Sequence, residues 1–217
     1  VALLSNYKCQ EQAASAIAVL ADLPENKLLI FAAGGIPPLV KLLGSEKGME
    51  HPPTQKHTAK AIEKLARDCV EIQDALAAES ASHPLVSLLA SDSLETQESA
   101  VCALLCLAAH PASRSVVVIR LVTVLMQRNT AAQLKSAEAL AILAARSTAN
   151  RTAIVHAGAV EPLVALLGNG MRSEKHTPPE RAAAVLADLA RFSESKVEIA
   201  RVGGIDPLVA MLSSTCS

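Results

Sequence analysis

Aromatic residues are almost absent from this chain of 217 residues, which has no Trp, one Tyr and two Phe. Without aromatic side chains for bases to stack on, it has no platform for single-stranded nucleic acid. The formal net charge of -1 gives no general attraction to phosphate backbones or anionic membranes. We therefore predict no nucleic acid among its partners. Because hydrophobic residues make up 51% of the chain, the core must consist of Ala, Leu, Val and Ile, which is typical of closely packed helices.

A disulfide framework and a membrane-spanning segment are also missing from the sequence. The five cysteines are odd in number and show no Cys-x-x-Cys spacing, so we expect a reducing compartment, either cytoplasmic or nuclear. The longest apolar stretch, residues 115–126, contains Arg120 and is too short to cross a bilayer. Direct membrane insertion is therefore not predicted.

Catalytic and metal-binding motifs are absent as well. The sequence contains no Gly-x-Ser-x-Gly, no phosphate-binding Walker loop and no His-Glu-x-x-His. Cys102, Cys106 and His110 share a spacing of one helical turn, but i to i+8 spans about 12 Å along a helix, too far for the ligands of one ion. We predict no enzyme, no cofactor and no metal site.

A repeat is the main positive signal. The segment Pro-Leu-Val, or Arg-Leu-Val in one copy, recurs five times at steps of 36 to 46 residues. A pair of Leu or Met residues follows each copy. The copies begin at Pro38, Pro84, Arg120, Pro162 and Pro207.

A second pattern alternates with the first. A small residue is followed by Ala or Val, by apolar residues at +3 and +4, and by Leu-Ala at +7 and +8. These offsets place one apolar stripe along an α-helix. The five stripes begin at Ala13, Thr58, Ala100, Ser136 and Ala182.

Glycine and proline mark the corner before the Pro-Leu-Val helix. Gly34-Gly35 precedes Pro37-Pro38, and similar corners follow at residues 156–162 and 202–207. Glycine ends a helix by adopting a left-handed conformation, and proline suits the first turn of the next one. Each repeat is therefore predicted as a short helix, a corner, a second helix and a long amphipathic third helix. Residues 111–118 contain no glycine, so the first helix of that repeat is predicted to be short or fused to the second.

The combination of a glycine corner, Pro-Leu-Val and a long third helix resembles the armadillo family, which includes β-catenin and importin-α. A period of about 42 residues also fits HEAT repeats, but the corner favours armadillo. The resemblance implies an all-α fold, a right-handed α-solenoid superhelix, in a single array over 1–217. Its predicted parts are a partial repeat 1–23, repeats 24–66, 67–109, 110–145 and 146–190, and a partial repeat 191–217.

In armadillo proteins the third helices line a concave groove, so the resemblance implies binding residues between the buried stripe positions, at offsets −2, +2 and +6. From these we take eight candidates for partner binding: Lys56, Lys60, Lys64, Glu98, Cys102, Cys106, Glu138 and Asp188. The lysines form a ladder that could receive an acidic peptide, as β-catenin-like lysines do. The alternative is a solvated helix face that Glu63 and Glu98 neutralise.

The importin-like version of this groove does not fit the sequence. Importin-α-like arrays carry Trp at +2 and Asn at +6, whereas the +2 residues here are Ser15, Lys60, Cys102, Glu138 and Ala184. The +6 residues are Val19, Lys64, Cys106, Ile142 and Asp188. A role as a nuclear-import adaptor is therefore the least favoured of the functions that the resemblance suggests.

The predicted function is a protein-interaction scaffold that holds an extended peptide or a partner helix in its groove. The alternative is a structural subunit of a larger complex. Two inserted Pro-rich segments, 44–53 and 168–179, are predicted either as solvated loops or as loops that contact a partner.

Overall fold

The structure, a computed structural model, describes residues 7–44, 51–168 and 178–213. These residues are helical apart from short connections, with one 3-10 turn at Leu88–Ala90 and no strand within the described ranges. The chain divides into two compact units, Val1–Ser113 and Arg114–Ser217, and each is described by itself.

Among the described residues, seven helices belong to the first unit. They are α1 (Tyr7–Leu20), α2 (Pro24–Ala32), α3 (Ile36–Gly44), α4 (Pro52–Ala66), α5 (Val70–Ala78), α6 (Ser82–Ser87) and α7 (Leu94–Ala109). The helices α2 to α4 and α5 to α7 each follow the predicted order of two short helices and a long third one. The second-helix segment at Pro84 is shorter than its counterpart α3 because its last turn narrows to the 3-10 turn.

The remaining helices are α8 (Pro111–Leu125), α9 (Thr130–Arg146), α10 (Thr148–His156), α11 (Val160–Leu167), α12 (Pro178–Leu189), α13 (Ser193–Arg201) and α14 (Ile205–Ser213). Helix α8 is one continuous helix where other repeats have two. Residues 111–118 contain no glycine, and the predicted fusion of the first helix to the second is present in α8. The predicted repeat boundaries and the single array 1–217 remain predictions.

Left-handed residues form the corners between first and second helices. Gly34, Gly158 and Gly203 have φ of 70°, 72° and 80°. A fourth corner, between α5 and α6, has Ser80 at φ 56°. The sequence does not predict this corner, because serine carries no signal for a conformation that L side chains disfavour.

The predicted apolar stripes form the core of α4, α7 and α9. On α1 the prediction is wrong for most positions, since only Ala14 and Ala21 of its stripe are buried and Leu20 is 51% exposed. On α4, α7 and α9 every residue at offsets 0, +1, +3, +4, +7 and +8 is buried, whereas the residues at +2 and +6 are half-buried. The contacts between third helices use small side chains, such as Thr58, Ala59 and Ala61, which are all 0% exposed. Small side chains allow the helices to lie close together.

Side-chain amides join the first helices α2, α5 and α10 to the end of the preceding third helix. Asn26 donates to the carbonyl oxygen of Leu20 at 3.0 Å, and Asn150 donates to that of Leu143 at 2.8 Å. Gln73 makes the equivalent bond on α5 at 2.8 Å. These bonds satisfy carbonyls that the end of a helix leaves without an intrahelical partner. Ser195 holds the matching place on α13, and its buried hydroxyl has no partner.

Within the described ranges, no single helix has the length and apolar composition needed to cross a membrane. Helices α2 and α3 satisfy those criteria only when taken together, and they are bent by 82° at their corner.

Replacing Ser80 with Gly should stabilise the first unit by about 1 kcal/mol, because glycine adopts the left-handed conformation without the steric cost of a Cβ. Urea unfolding followed by circular dichroism measures the change. The matched control is Gly158→Ala, which places a Cβ in open space but at φ 72° and should destabilise the second unit. A Ser80→Gly variant that unfolds at lower urea than the original chain would contradict this explanation of the corner.

Candidate partner-binding face

The predicted binding residues lie on third helices that pack side by side. In the first unit α1 contacts α4 and α4 contacts α7, and in the second unit α9 contacts α12. None of the eight candidates is fully buried: Glu98 is exposed and the other seven are half-buried. We call the accessible side of α1, α4 and α7, and separately that of α9 and α12, the third-helix face.

Every lysine of the ladder on α4 has an acidic partner. Lys56 Nζ lies 2.7 Å from Glu95 Oε2 on α7, and Lys64 Nζ lies 2.7 Å from Asp22 Oδ1, just after α1. The hydrogen bond from Lys56 is the main cause that lowers the pKa of Glu95. These two ion pairs connect neighbouring third helices across the accessible face.

The third lysine belongs to a partly buried triad on α4. Lys60 Nζ lies 2.9 Å from Glu63 Oε2, and Arg67 Nη2 lies 2.7 Å from Glu63 Oε1. Glu63 itself is only 3% exposed. A buried carboxylate is costly unless it is paired, so the pairing with Lys60 and Arg67 offsets the cost of burying Glu63.

The candidate charges of the second unit are also paired, but within their own helices or connections. Glu138 accepts from Lys135 Nζ at 3.1 Å, and Asp188 Oδ1 lies 3.5 Å from Arg191 Nε. Glu98 differs from the other candidates, because no ion pair in the described part of the chain includes it. Glu98 neutralises none of the lysines there. Glu95, one turn earlier on α7, neutralises Lys56 instead.

Cys102 and Cys106 lie on α7 beside this charged cluster. Burial is the largest cause that raises the pKa of both thiols, and the negative charge of Glu63 contributes in the same direction. The thiols are therefore mostly protonated at neutral pH and weakly nucleophilic. Among the described residues, no group of three or more His, Cys, Asp or Glu side chains could hold a metal ion.

The sequence predicts the α4 lysines as binding candidates but does not predict all of their partners. Glu63 and Arg67 are an i, i+4 pair on one helix, a signal that the sequence offers. Asp22 and Glu95 come from other repeats, and only the packing of third helices brings them to the lysines. The two Pro-rich segments lie largely outside the described residues, since 45–50 and 169–177 are not among them.

Comparison with known proteins identifies the repeat. The sequence profile of the Armadillo/beta-catenin-like repeat matches residues 24–67. A crystal structure of an engineered protein is 31% identical, covers 98% of this chain and 87% of its own, and has a TM-score of 0.68. The chain belongs to the armadillo repeat family. The all-α solenoid fold implied by the resemblance is thereby confirmed. No curated protein matches the sequence.

Two further solved structures are designed armadillo repeat proteins. One belongs to a set computationally designed for modular peptide recognition; it is 25% identical, with a TM-score of 0.66, and the match covers 97% of this chain and 88% of that one. The other is a complex with the peptide (KR)4; it is 24% identical, with a TM-score of 0.63 and coverage of 94% and 84%. The second likeness shows the fold alone.

The raised thiol pKa values predict slow alkylation of Cys102 and Cys106. Iodoacetamide at neutral pH should modify the exposed Cys9 several-fold faster than either of them, because burial limits access to Cys102 and Cys106 and raises the pKa of both thiols. Peptide mapping by mass spectrometry resolves the sites. In the guanidinium-unfolded chain all three should react alike. Equal rates in the folded chain would contradict the described burial of α7.

Proposed function

We propose that the third-helix face binds an extended segment of a partner protein, and that the protein works as a non-enzymatic scaffold in the cytoplasm or nucleus. The observation that carries this proposal is the row of accessible residues between the buried stripes of α4 and α7. Repeated helices offer one such row per repeat, which suits a ligand that is itself extended. The designed relative for modular peptide recognition supports the same reading of the fold.

The ion pairs of the face suggest how a ligand gains affinity. Lys56 and Lys64 are partly exposed and bind carboxylates that are themselves more than half exposed. Solvent-exposed ion pairs contribute little to stability, so a carboxylate of the ligand can replace Glu95 or Asp22 at small cost. The lysines thus favour an acidic peptide, and the binding should weaken as salt screens the exchange.

Lys60 has a different role from the other two lysines in this proposal. Its ammonium group compensates the buried Glu63 carboxylate, so reversing its charge would disturb folding as well as binding. A binding test should therefore change Lys56 and Lys64 and leave Lys60 in place.

The test uses two fluorescein-labelled peptides, (DE)4 and (KR)4, with fluorescence anisotropy as the measurement. The double variant Lys56→Gln/Lys64→Gln should bind (DE)4 at least about tenfold more weakly than the original chain, since it loses two charged contacts. The control Lys41→Gln removes the same kind of charge from an exposed residue of α3, and it should bind (DE)4 as the original chain does.

Unchanged (DE)4 binding by the double variant, or an equal loss in Lys41→Gln, would contradict the proposal. Tighter binding of (KR)4 than of (DE)4 would contradict the role assigned to the lysines. Circular dichroism should show the same helix content in all variants, so that a loss of binding reflects the face and not the fold.

A structural subunit of a larger complex is the second candidate. The observation that favours it is the apolar surface of α2, where Leu28 and Leu29 are 52% and 66% exposed. No residue of α2 is buried, whereas the equivalent helices α5, α10 and α13 bury Ile72, Ile154 and Ile199. Exposed apolar side chains in one cluster commonly mark a surface that another protein covers.

A further inference from the structure

A cavity lies between consecutive second helices in each unit, away from the third-helix face. In the first unit it has a volume of about 340 Å³ and lies between the end of α3, with Leu43 and Gly44, and α6, with Pro84. Its repeat equivalent in the second unit lies between the end of α8 and α11 and has a volume of about 700 Å³. We call the second one the α8–α11 cavity.

Met126 distinguishes the larger cavity from the smaller one. The residue six positions after the start of each Pro-Leu-Val-type segment is Met126 in one repeat and small in the other four, namely Gly44, Ala90, Gly168 and Ser213. A Cβ added to Gly44 would lie in ordinary van der Waals contact with Pro84, 3.8 Å from its Cβ. Met126 lies at the rim of the α8–α11 cavity and is 72% exposed.

The floor of the α8–α11 cavity is apolar. Leu125 and Leu166 line it and are each 2% exposed, and Val122 and Pro162 add further apolar surface. The connection after α8 is held in place by Gln133, whose amide donates to the carbonyl oxygens of Leu125 and Gln127 at 2.9 and 2.7 Å. The cavity is thus a fixed feature of the repeat junction and not a gap between loose loops.

Two opposite charges line the same cavity without pairing. Arg128 comes from the connection between α8 and α9, and Glu161 comes from the first turn of α11. Both are exposed, and neither takes part in any of the ion pairs found among the described residues. The charges of Arg201 and Glu161 attract each other through space. The guanidinium of Arg201, however, donates both of its hydrogen bonds to the carboxylate of Glu198, at 2.6 and 2.8 Å. Arg128 and Glu161 therefore remain available to a ligand.

We propose that the α8–α11 cavity is a second binding site, which takes a short segment of a partner protein. The segment places one large apolar side chain against Met126 and the leucine floor, with an acidic residue toward Arg128 and a basic residue toward Glu161. The volume lies within the range of about 300–1,000 Å³ that is usual for ligand pockets. Methionine suits this use, because its flexible thioether adapts to the shape of an apolar partner.

The charges decide among possible occupants. A purely acidic or purely basic peptide would place one of its charges against a like charge, and a neutral apolar molecule would leave both charges unused. A segment with one charge of each sign matches both walls and fixes the direction in which the segment binds. This site is independent of the third-helix face, since it shares none of the eight residues considered there.

The test selects peptides from a phage-displayed random dodecapeptide library against the full chain and measures their binding by fluorescence anisotropy. Ala165 is an exposed residue of α11 that lines the cavity, so Ala165→Phe fills the cavity from its mouth without burying a new group. Selected peptides should carry an apolar residue between an acidic and a basic one. Ala165→Phe should weaken their binding by at least about tenfold, whereas the control Ala165→Ser leaves it unchanged.

A charge-reversal experiment is the second part of the test. Arg128→Glu should weaken the selected peptide, and changing the acidic residue of that peptide to lysine should restore its binding to the variant. Failure to select any peptide whose binding depends on position 165 overturns the proposal. So does binding that Lys56→Gln/Lys64→Gln abolishes, because those peptides then occupy the third-helix face. A dimer in sedimentation that Ala165→Phe dissociates identifies a second copy as the occupant and also overturns the proposal.

Discussion

Side-by-side packing of the long third helices is the constraint on which the other features of this protein depend. Small residues such as Ala59 and Ala61 on α4 and Ala100 and Ala103 on α7 are fully buried, and they let neighbouring helices approach closely. Because a helix repeats its faces every 3.6 residues, burying the stripe leaves the residues at +2 and +6 partly accessible. The same contact therefore builds the core and arranges the third-helix face.

Polar side chains add hydrogen bonds and ion pairs between the packed helices. The amides of Asn26, Gln73 and Asn150 close the ends of third helices, and Lys56 and Lys64 connect α4 to the helices on either side. Neutralised lysines explain how a ladder of like charges persists on one helix. Because Lys56 and Lys64 are already paired, a ligand has to displace Glu95 or Asp22 in order to bind them.

The sequence was sufficient to predict the fold because each repeat carries the same local signals. Glycine corners, Pro-Leu-Val segments and apolar stripes all depend on residues within one helix or one turn, and the fused helix α8 followed from a missing glycine. The corner at Ser80 is not predicted by the sequence, because serine has no preference for the left-handed conformation that it adopts there. The partners of Lys56 and Lys64 were missed for a related reason, since Glu95 and Asp22 are close to them only after folding. In the alternative of a solvated helix face, Glu63 and Glu98 neutralise the lysines. Glu63 pairs with Lys60, whereas Glu98 has no ion pair in the described structure.

The most direct test of the third-helix face as the binding surface is site-specific photo-crosslinking. The photoreactive amino acid p-benzoylphenylalanine is placed at Glu98, on the face of α7, or at Lys41, an exposed residue of α3 outside it. Each protein is irradiated with fluorescein-labelled (DE)4, and the adducts are mapped by mass spectrometry. A ligand on the third-helix face gives an adduct with the chain modified at position 98 and little with that modified at 41. Equal adducts, or an adduct from position 41 alone, would contradict this binding surface.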